Sequence, residues 1–226
     1  AAAAFRIFGV NEFAARLPSA LAATLATLGL AWLALRLYGR KTAWYVLLLL
    51  PTSASMFGFA RAATTDMLFS ATLALSLAAA AWALWGAPAV AAGAPSPSYS
   101  ILAAFGALLG AATLAKGPAA VVLAAGSIGL WALASKRWRD AFRLAHPLAI
   151  LAFGVVALPW YALCAARNPG FVRSFLFQHN VERFLTPAFR HEQPVWFFAP
   201  ILLLGLAPWT VLLYGPARDG VALCRE

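Results

Sequence analysis

The chain has 226 residues, a formal net charge of +10, 63% hydrophobic residues and only 11% charged ones. A soluble domain carries about 25% charged residues, so this composition excludes an ordinary soluble fold and indicates a polytopic membrane protein. The excess of bases belongs to loops that meet lipid head groups or phosphates, and no nucleic-acid partner is expected.

The chain opens on four alanines instead of Met, and no secretory leader pattern follows. The expectation is a fragment that lacks an N-terminal part. A helical span needs about 20 mostly apolar residues. Seven uncharged stretches meet or approach that length: Leu17–Leu35, Thr42–Ala60, Met67–Trp85, Tyr99–Ala115, Gly117–Ser135, Pro147–Ala166 and Pro194–Ala217. In lipid each must be a helix, because its backbone groups have no water to bond. The fold class is therefore all-α, a transmembrane bundle of about seven spans. Tyr38, Trp44, Trp85, Trp131, Trp138, Trp196 and Tyr214 lie near the ends of these stretches, as an interfacial belt requires. The spacing in "FGALLGAA" (105–112) places small residues four apart, a pattern that lets two helices approach closely.

The loops alternate between two faces. One face holds "RLYGRK" (36–41), the Pro/Gly/Ser-rich 86–98 segment, "SKRWRDAFR" (135–143) and the tail from Arg218. The other holds the N-terminal "FRIFGVNEFAAR", "RAATTD" (61–66), "AKGP" (115–118) and a long segment, 167–194. Nine Lys and Arg fall on the first face and eight on the second. On the first they form dense clusters, which assigns it to the cytoplasm. On the second they are interleaved with Glu12, Asp66, Glu182, Glu192, His179 and His191, the mixture expected of a site. The aromatic-rich 167–194 segment, with an amphipathic pattern around 170–185, predicts a helix lying on the membrane surface.

Five residues on the mixed face are candidates for chemistry. Asp66 fits an N-cap of the helix that follows, with Arg61 five residues earlier as a candidate partner. Lys116 is the one charged residue between Asp66 and Lys136, and the Gly117–Pro118 pair behind it ends one helix and starts the next. It fits an interfacial snorkelling lysine whose ammonium points at the interface. His179, Glu182 and Arg183 share one helical face, which suits a surface ion-pair stripe or a phosphate or metal site. Glu12 and Arg16 have the spacing of a helical ion pair. Cys164 and Cys224 have neither metal-type spacing nor a disulfide framework and read as small apolar residues.

Six motifs occur in order: "EFAARLPSAL" (12–21), "ARAATTDMLF" (60–69), "LAKGP" (114–118), "LPWY" (158–161), "FQHNVERF" (177–184) and "RHEQPVWFF" (190–198). Together they resemble the bacterial aminoarabinose-transferase and protein O-mannosyltransferase superfamily of GT-C membrane glycosyltransferases. The resemblance covers essentially the whole chain. It implies that residues 1–226 are part of a single GT-C transmembrane domain whose first span and first outer loop precede Ala1. It implies a glycosyltransferase of the bacterial inner membrane, active on the periplasmic or extracellular face in lipid A or protein glycosylation. Its partners would be a polyprenyl-phosphate sugar donor, a lipid or protein acceptor, and membrane lipids. On this resemblance Asp66 is a supporting acid, the main acid lying upstream of Ala1. Lys116, Arg183 and Arg61 bind the donor phosphate. His179 contacts phosphate or a metal, and a divalent ion is left open as cofactor. The alternative is a transporter or flippase of a lipid-linked sugar.

Overall fold

The structure is a computed structural model and describes residues 2–86, 98–171 and 194–215. Most of the 86–98 segment, the expected amphipathic helix, His179, Glu182, Arg183, His191 and Cys224 lie outside the described residues. Among the described residues there are ten α-helices and no strand. They are α1 (Ala2–Phe8), α2 (Glu12–Tyr38), α3 (Arg40–Thr52), α4 (Ala54–Arg61), α5 (Asp66–Trp85), α6 (Tyr99–Lys116), α7 (Ala119–Ser135), α8 (Trp138–Arg143), α9 (Pro147–Arg167) and α10 (Phe198–Gly205).

The all-α membrane fold expected from composition is the one observed. The span count is revised: α2, α5, α6 and α9 are long and apolar enough to cross a membrane. The stretch expected as one span over Thr42–Ala60 is two helices, α3 and α4, bent by 59° at a break. The stretch before Ser135 gives the 17-residue α7, just under full length. The expected span from Pro194 is interrupted. It forms a 3-10 turn (Val195–Phe197), the eight-residue α10 and a second 3-10 turn (Trp209–Leu213).

The break in α3–α4 has a local cause and a distant partner. Pro51 lacks an N–H, and Ser53 adopts an extended backbone conformation. The freed groups are recovered as membrane burial demands. Ser53 Oγ donates to the Leu50 carbonyl at 2.8 Å, and the Ala54 N–H donates to the Ala207 carbonyl at 2.8 Å. Trp209 Nε1 donates to Thr52 Oγ1 at 2.8 Å. The broken C-terminal stretch thus completes the broken N-terminal helix.

Packing inverts the soluble pattern. The buried side chains are mostly small, such as Ala23, Ala26, Ala71, Ala112, Ala120 and Ala132, whereas Leu151, Val155 and Leu158 on α9 face outward. Helices in lipid gain little by hiding leucine from hydrocarbon, and gain more by bringing backbones close. The glycine spacing read in 105–112 does this. A Cβ at Gly106 would lie 2.0 Å from the Ala149 carbonyl oxygen, and one at Gly110 would lie 3.0 Å from the Phe153 oxygen. On the adjoining face of α6, the fully buried Ser76 of α5 donates to the Phe105 carbonyl at 3.1 Å. Helix α6 is therefore held between α5 and α9.

Helix polarity sorts the helix ends as the loop chemistry predicts. The starts of α2 and α5 and the ends of α4, α6 and α9 share one face. At the opposite end Trp85 meets Trp131 edge to face at 5.3 Å, and the Arg36 guanidinium lies over Trp82 at 5.3 Å.

Gly106→Val should destabilise the bundle by about 1–3 kcal/mol through overpacking. Gly126→Ala, where a Cβ meets open space, should leave stability unchanged or slightly raised. Thermal unfolding of the two variants in detergent checks the contrast.

Candidate functional site

The mixed-charge face is built from helix ends. Asn11 starts α2: its side-chain oxygen accepts from the Ala14 N–H at 2.8 Å while its amide donates to the Phe8 carbonyl at 2.7 Å. One turn on, Arg16 and Glu12 form the expected helical ion pair at 3.0 Å. Both are largely exposed, so the pair contributes little to stability. Deeper on the same helix Ser19, 2% exposed, donates to the Thr64 carbonyl at 3.2 Å. That bond ties the Arg61–Asp66 turn to α2.

Asp66 departs from the capping role. Helix α5 begins at Asp66 itself, and the N-cap position is Thr65, whose side chain makes no capping bond. The Asp66 carboxylate forms an ion pair with Lys116 Nζ. Arg61, the partner suggested by sequence distance, instead sets its guanidinium over the Phe57 ring at 5.0 Å. The reason is geometric. Ala62–Thr65 leave the helical path, while the end of α6 is brought alongside the start of α5 by the packing of those two helices.

Both ends favour their charges. An anion at the first turn of α5 and a cation at the last turn of α6 each complement a helix dipole. Gly117, at φ 82°, terminates α6 and sends its N–H to the Thr113 carbonyl at 2.7 Å. Pro118 then precedes α7, as the Gly–Pro pair predicts. The Lys116 ammonium also lies over the Phe69 ring, 5.8 Å from its centroid. Its side chain is 48% exposed and that of Asp66 34%, so the pair is open to a ligand from outside.

Three features were not read from sequence. Tyr161 of "LPWY" donates to the Thr113 carbonyl at 2.8 Å, linking α9 to the last turn of the lysine-bearing helix. Phe69 follows Asp66 by three residues, a helical spacing that could have flagged it as a neighbour. An apolar cavity of about 280 Å³ opens between α2 and the α3–α4 bend, lined by Ala23, Thr27, Pro51, Met56 and Phe57, with Arg61 on its wall. Pro51 within an apolar run was its one sequence signal.

Among the described residues no three His, Cys, Asp or Glu side chains come together as a metal site. His179 and Arg183 lie outside those residues; of the candidate residues the described face holds Asp66, Lys116 and Arg61, near the rings of Phe57 and Phe69 and the Tyr161 bond to α6.

Removing either ion-pair partner should hardly affect folding. For a pair this exposed, a double-mutant cycle of Asp66→Ala and Lys116→Ala should give a coupling of about 1 kcal/mol or less. Chemical or thermal unfolding of the two single variants and the double variant measures it.

Comparison with known proteins bears on this geometry. Residues 1–162 match the family model described as dolichyl-phosphate-mannose-protein mannosyltransferase. The undecaprenyl phosphate-alpha-4-amino-4-deoxy-L-arabinose arabinosyl transferase of Edwardsiella ictaluri is 33% identical over 216 residues, covering 95% of this chain and 38% of that protein. The transferase of the same description from Enterobacter sp. is 31% identical over 94% of this chain and 37% of its own length. The crystal structure of ArnT from Cupriavidus metallidurans bound to undecaprenyl phosphate superposes with a TM-score of 0.83 at 24% identity, over 93% of this chain and 37% of that one. The apo state of the same protein gives 0.78. The chain thus spans between a third and two fifths of the length of the relatives it matches.

Proposed function

The chain belongs to the dolichyl-phosphate-mannose-protein mannosyltransferase family, and from that premise we propose that it is part of an enzyme that moves a sugar from a polyprenyl-phosphate donor to a lipid or protein acceptor. The 226 residues form part of one transmembrane unit in a bacterial inner membrane, and the reaction takes place at its periplasmic face. The observation that carries this reading is the Asp66–Lys116 pair, half exposed at one end of the bundle; Arg61, whose turn leads into α5, lines an apolar cavity between α2 and the α3–α4 bend.

The chemistry suits those groups. The bond between the anomeric carbon and the phosphate oxygen breaks, and the phosphate leaves with the electron pair. Its charge becomes more negative as it leaves, so nearby cations stabilise the transition state more than the bound donor. Lys116 and Arg61 supply that charge, joined by Arg183. The apolar cavity suits the isoprenoid segment next to the phosphate. The acceptor hydroxyl or amine must lose a proton as it attacks, and a carboxylate must receive or orient that proton. Asp66 acts as the supporting acid: it orients sugar or acceptor hydroxyls and holds the lysine at the rim until the donor phosphate arrives. His179 provides a further phosphate contact, or a ligand if the reaction uses a divalent ion.

One feature favours a second reading. Transporters place their substrate near broken helices, and α3–α4 is a helix pair bent at a break. Among the described residues, however, the polar groups at the break are Thr52, Ser53 and Trp209, with no ionisable side chain among them. Proton relays through a membrane use such a side chain, so the break carries no sign of proton-coupled transport, and the transferase reading stands ahead of it.

In the full-length protein, Lys116→Ala and Asp66→Asn should each lower sugar transfer by about 10²–10³-fold, while Arg61→Ala should raise the KM for the lipid donor. Transfer and flipping measured side by side in proteoliposomes distinguish the two readings. Full transfer activity in both the Lys116 and Asp66 variants would remove the site assignment.

A further inference from the structure

The opposite end of the bundle carries a second cavity that the transfer reaction does not use. It occupies about 370 Å³ between α6, α7, α8 and α9, within the range of about 300–1,000 Å³ typical of ligand sites. Its wall is apolar, formed by Leu109, Ile128, Trp138, Phe142 and Phe153 with Gly129 at one side. Val121, Phe142 and Ile150 on that wall are exposed, so the cavity opens at the side of the described helices.

The helix at its mouth, α8, has two chemical faces. Trp138, Ala141 and Phe142 line the cavity. The remaining positions of 136–143 are Lys136, Arg137, Arg139, Asp140 and Arg143. Asp140 bonds Arg137 at 2.6 Å and Arg143 at 3.0 Å. One carboxylate is therefore shared by two guanidiniums. Among the described residues neither Lys136 nor Arg139 has an ion-pair partner, and both are exposed. The segment keeps a net charge of three beside an apolar slot, at the end that the clustered bases assign to the cytoplasm. Lys136 is itself in the left-handed region, at φ 56°, and closes α7 so that α8 turns across the bundle end.

We propose that this cavity is a binding site for an anionic glycerophospholipid of the cytoplasmic leaflet. One acyl chain lies in the slot between α7 and α9, over the glycine face of α6, and the phosphate rests on Lys136, Arg139 and the guanidiniums of Arg137 and Arg143. Charge complementarity selects this occupant. An apolar helix from another protein would fill the slot but leave the basic rim unmatched, whereas an anionic lipid satisfies both. The site lies at the end of the bundle away from Asp66 and Lys116 and is independent of the sugar-transfer reading.

Two variants test the two halves of the lipid separately. Lys136→Gln with Arg139→Gln removes charge at the rim. Gly129→Leu fills the slot, and it does so without a clash, because a Cβ at Gly129 meets no atom within 4 Å. The full-length protein is reconstituted in nanodiscs of phosphatidylglycerol or of phosphatidylcholine, and its melting temperature and bound lipid are read by unfolding and native mass spectrometry. The wild type should be more stable in phosphatidylglycerol and retain that lipid. The double charge variant should bind it about thirtyfold more weakly, at about 1 kcal/mol for each surface cation lost. Gly129→Leu should melt no lower than wild type in phosphatidylcholine yet lose the phosphatidylglycerol increment. Equal stability of the wild type in the two lipids would overturn the proposal. So would a Gly129→Leu protein that still retains phosphatidylglycerol, or a protein helix found seated in the slot.

Discussion

The close approach of α6 to α9 is the contact on which the rest of the bundle depends. Gly106 and Gly110 bring the α6 backbone against the carbonyl oxygens of Ala149 and Phe153. With side chains of ordinary size there, the two helices would separate by the width of a methyl group or more. Ser76 fixes the adjoining face of α6 to α5. With both faces fixed, the axial position of α6 is set, and so is the place where Lys116 emerges. The ion pair at one end and the apolar cavity at the other are both consequences of how this one helix is held. Membrane burial makes such contacts decisive, because hydrocarbon gives helices little reason to associate beyond close packing and hydrogen bonds.

The polar chemistry follows from the same constraint. A charge costs least at the rim of a bilayer, where water and head groups reach it. Among the described residues the charged side chains accordingly sit at helix ends and connecting turns. Where α3 and α4 break, the protein instead uses backbone groups, two hydroxyls and an indole to satisfy one another. A broken helix there is tolerated because Ala207 and Trp209 are present to complete it. The interrupted C-terminal stretch and the bent N-terminal pair are thus two halves of one arrangement.

Sugar transfer from a lipid phosphate asks a protein to stabilise charge as it develops on a leaving group without leaving a buried charge unpaired beforehand. On the proposed reaction, a lysine held by a carboxylate at a helix rim suits both demands: Asp66 and Lys116 compensate each other, and a donor phosphate would add negative charge next to the same ammonium. The modest coupling expected for so exposed a pair means that its geometry costs the fold little, which leaves those residue types to be set by chemistry.

Composition and patterning by themselves determined that this is an all-helical membrane protein, because uncharged apolar runs of about 20 residues span lipid as helices, whereas barrel strands are about ten residues long and alternate. The loop chemistry also separated the two ends of the bundle correctly, since helix polarity alternates with each crossing. Small residues four apart in "FGALLGAA" announced a close helix contact, and the Gly117–Pro118 pair announced the turn behind Lys116. Sequence distance misled at Asp66. Arg61 is five residues away but stacks on Phe57, while Lys116, fifty residues away, holds the carboxylate. The broken spans were also invisible in hydropathy, which records how apolar a stretch is and not whether its backbone runs straight. Both outcomes depend on contacts between segments far apart in the chain, and only the tertiary structure fixes which helix ends meet.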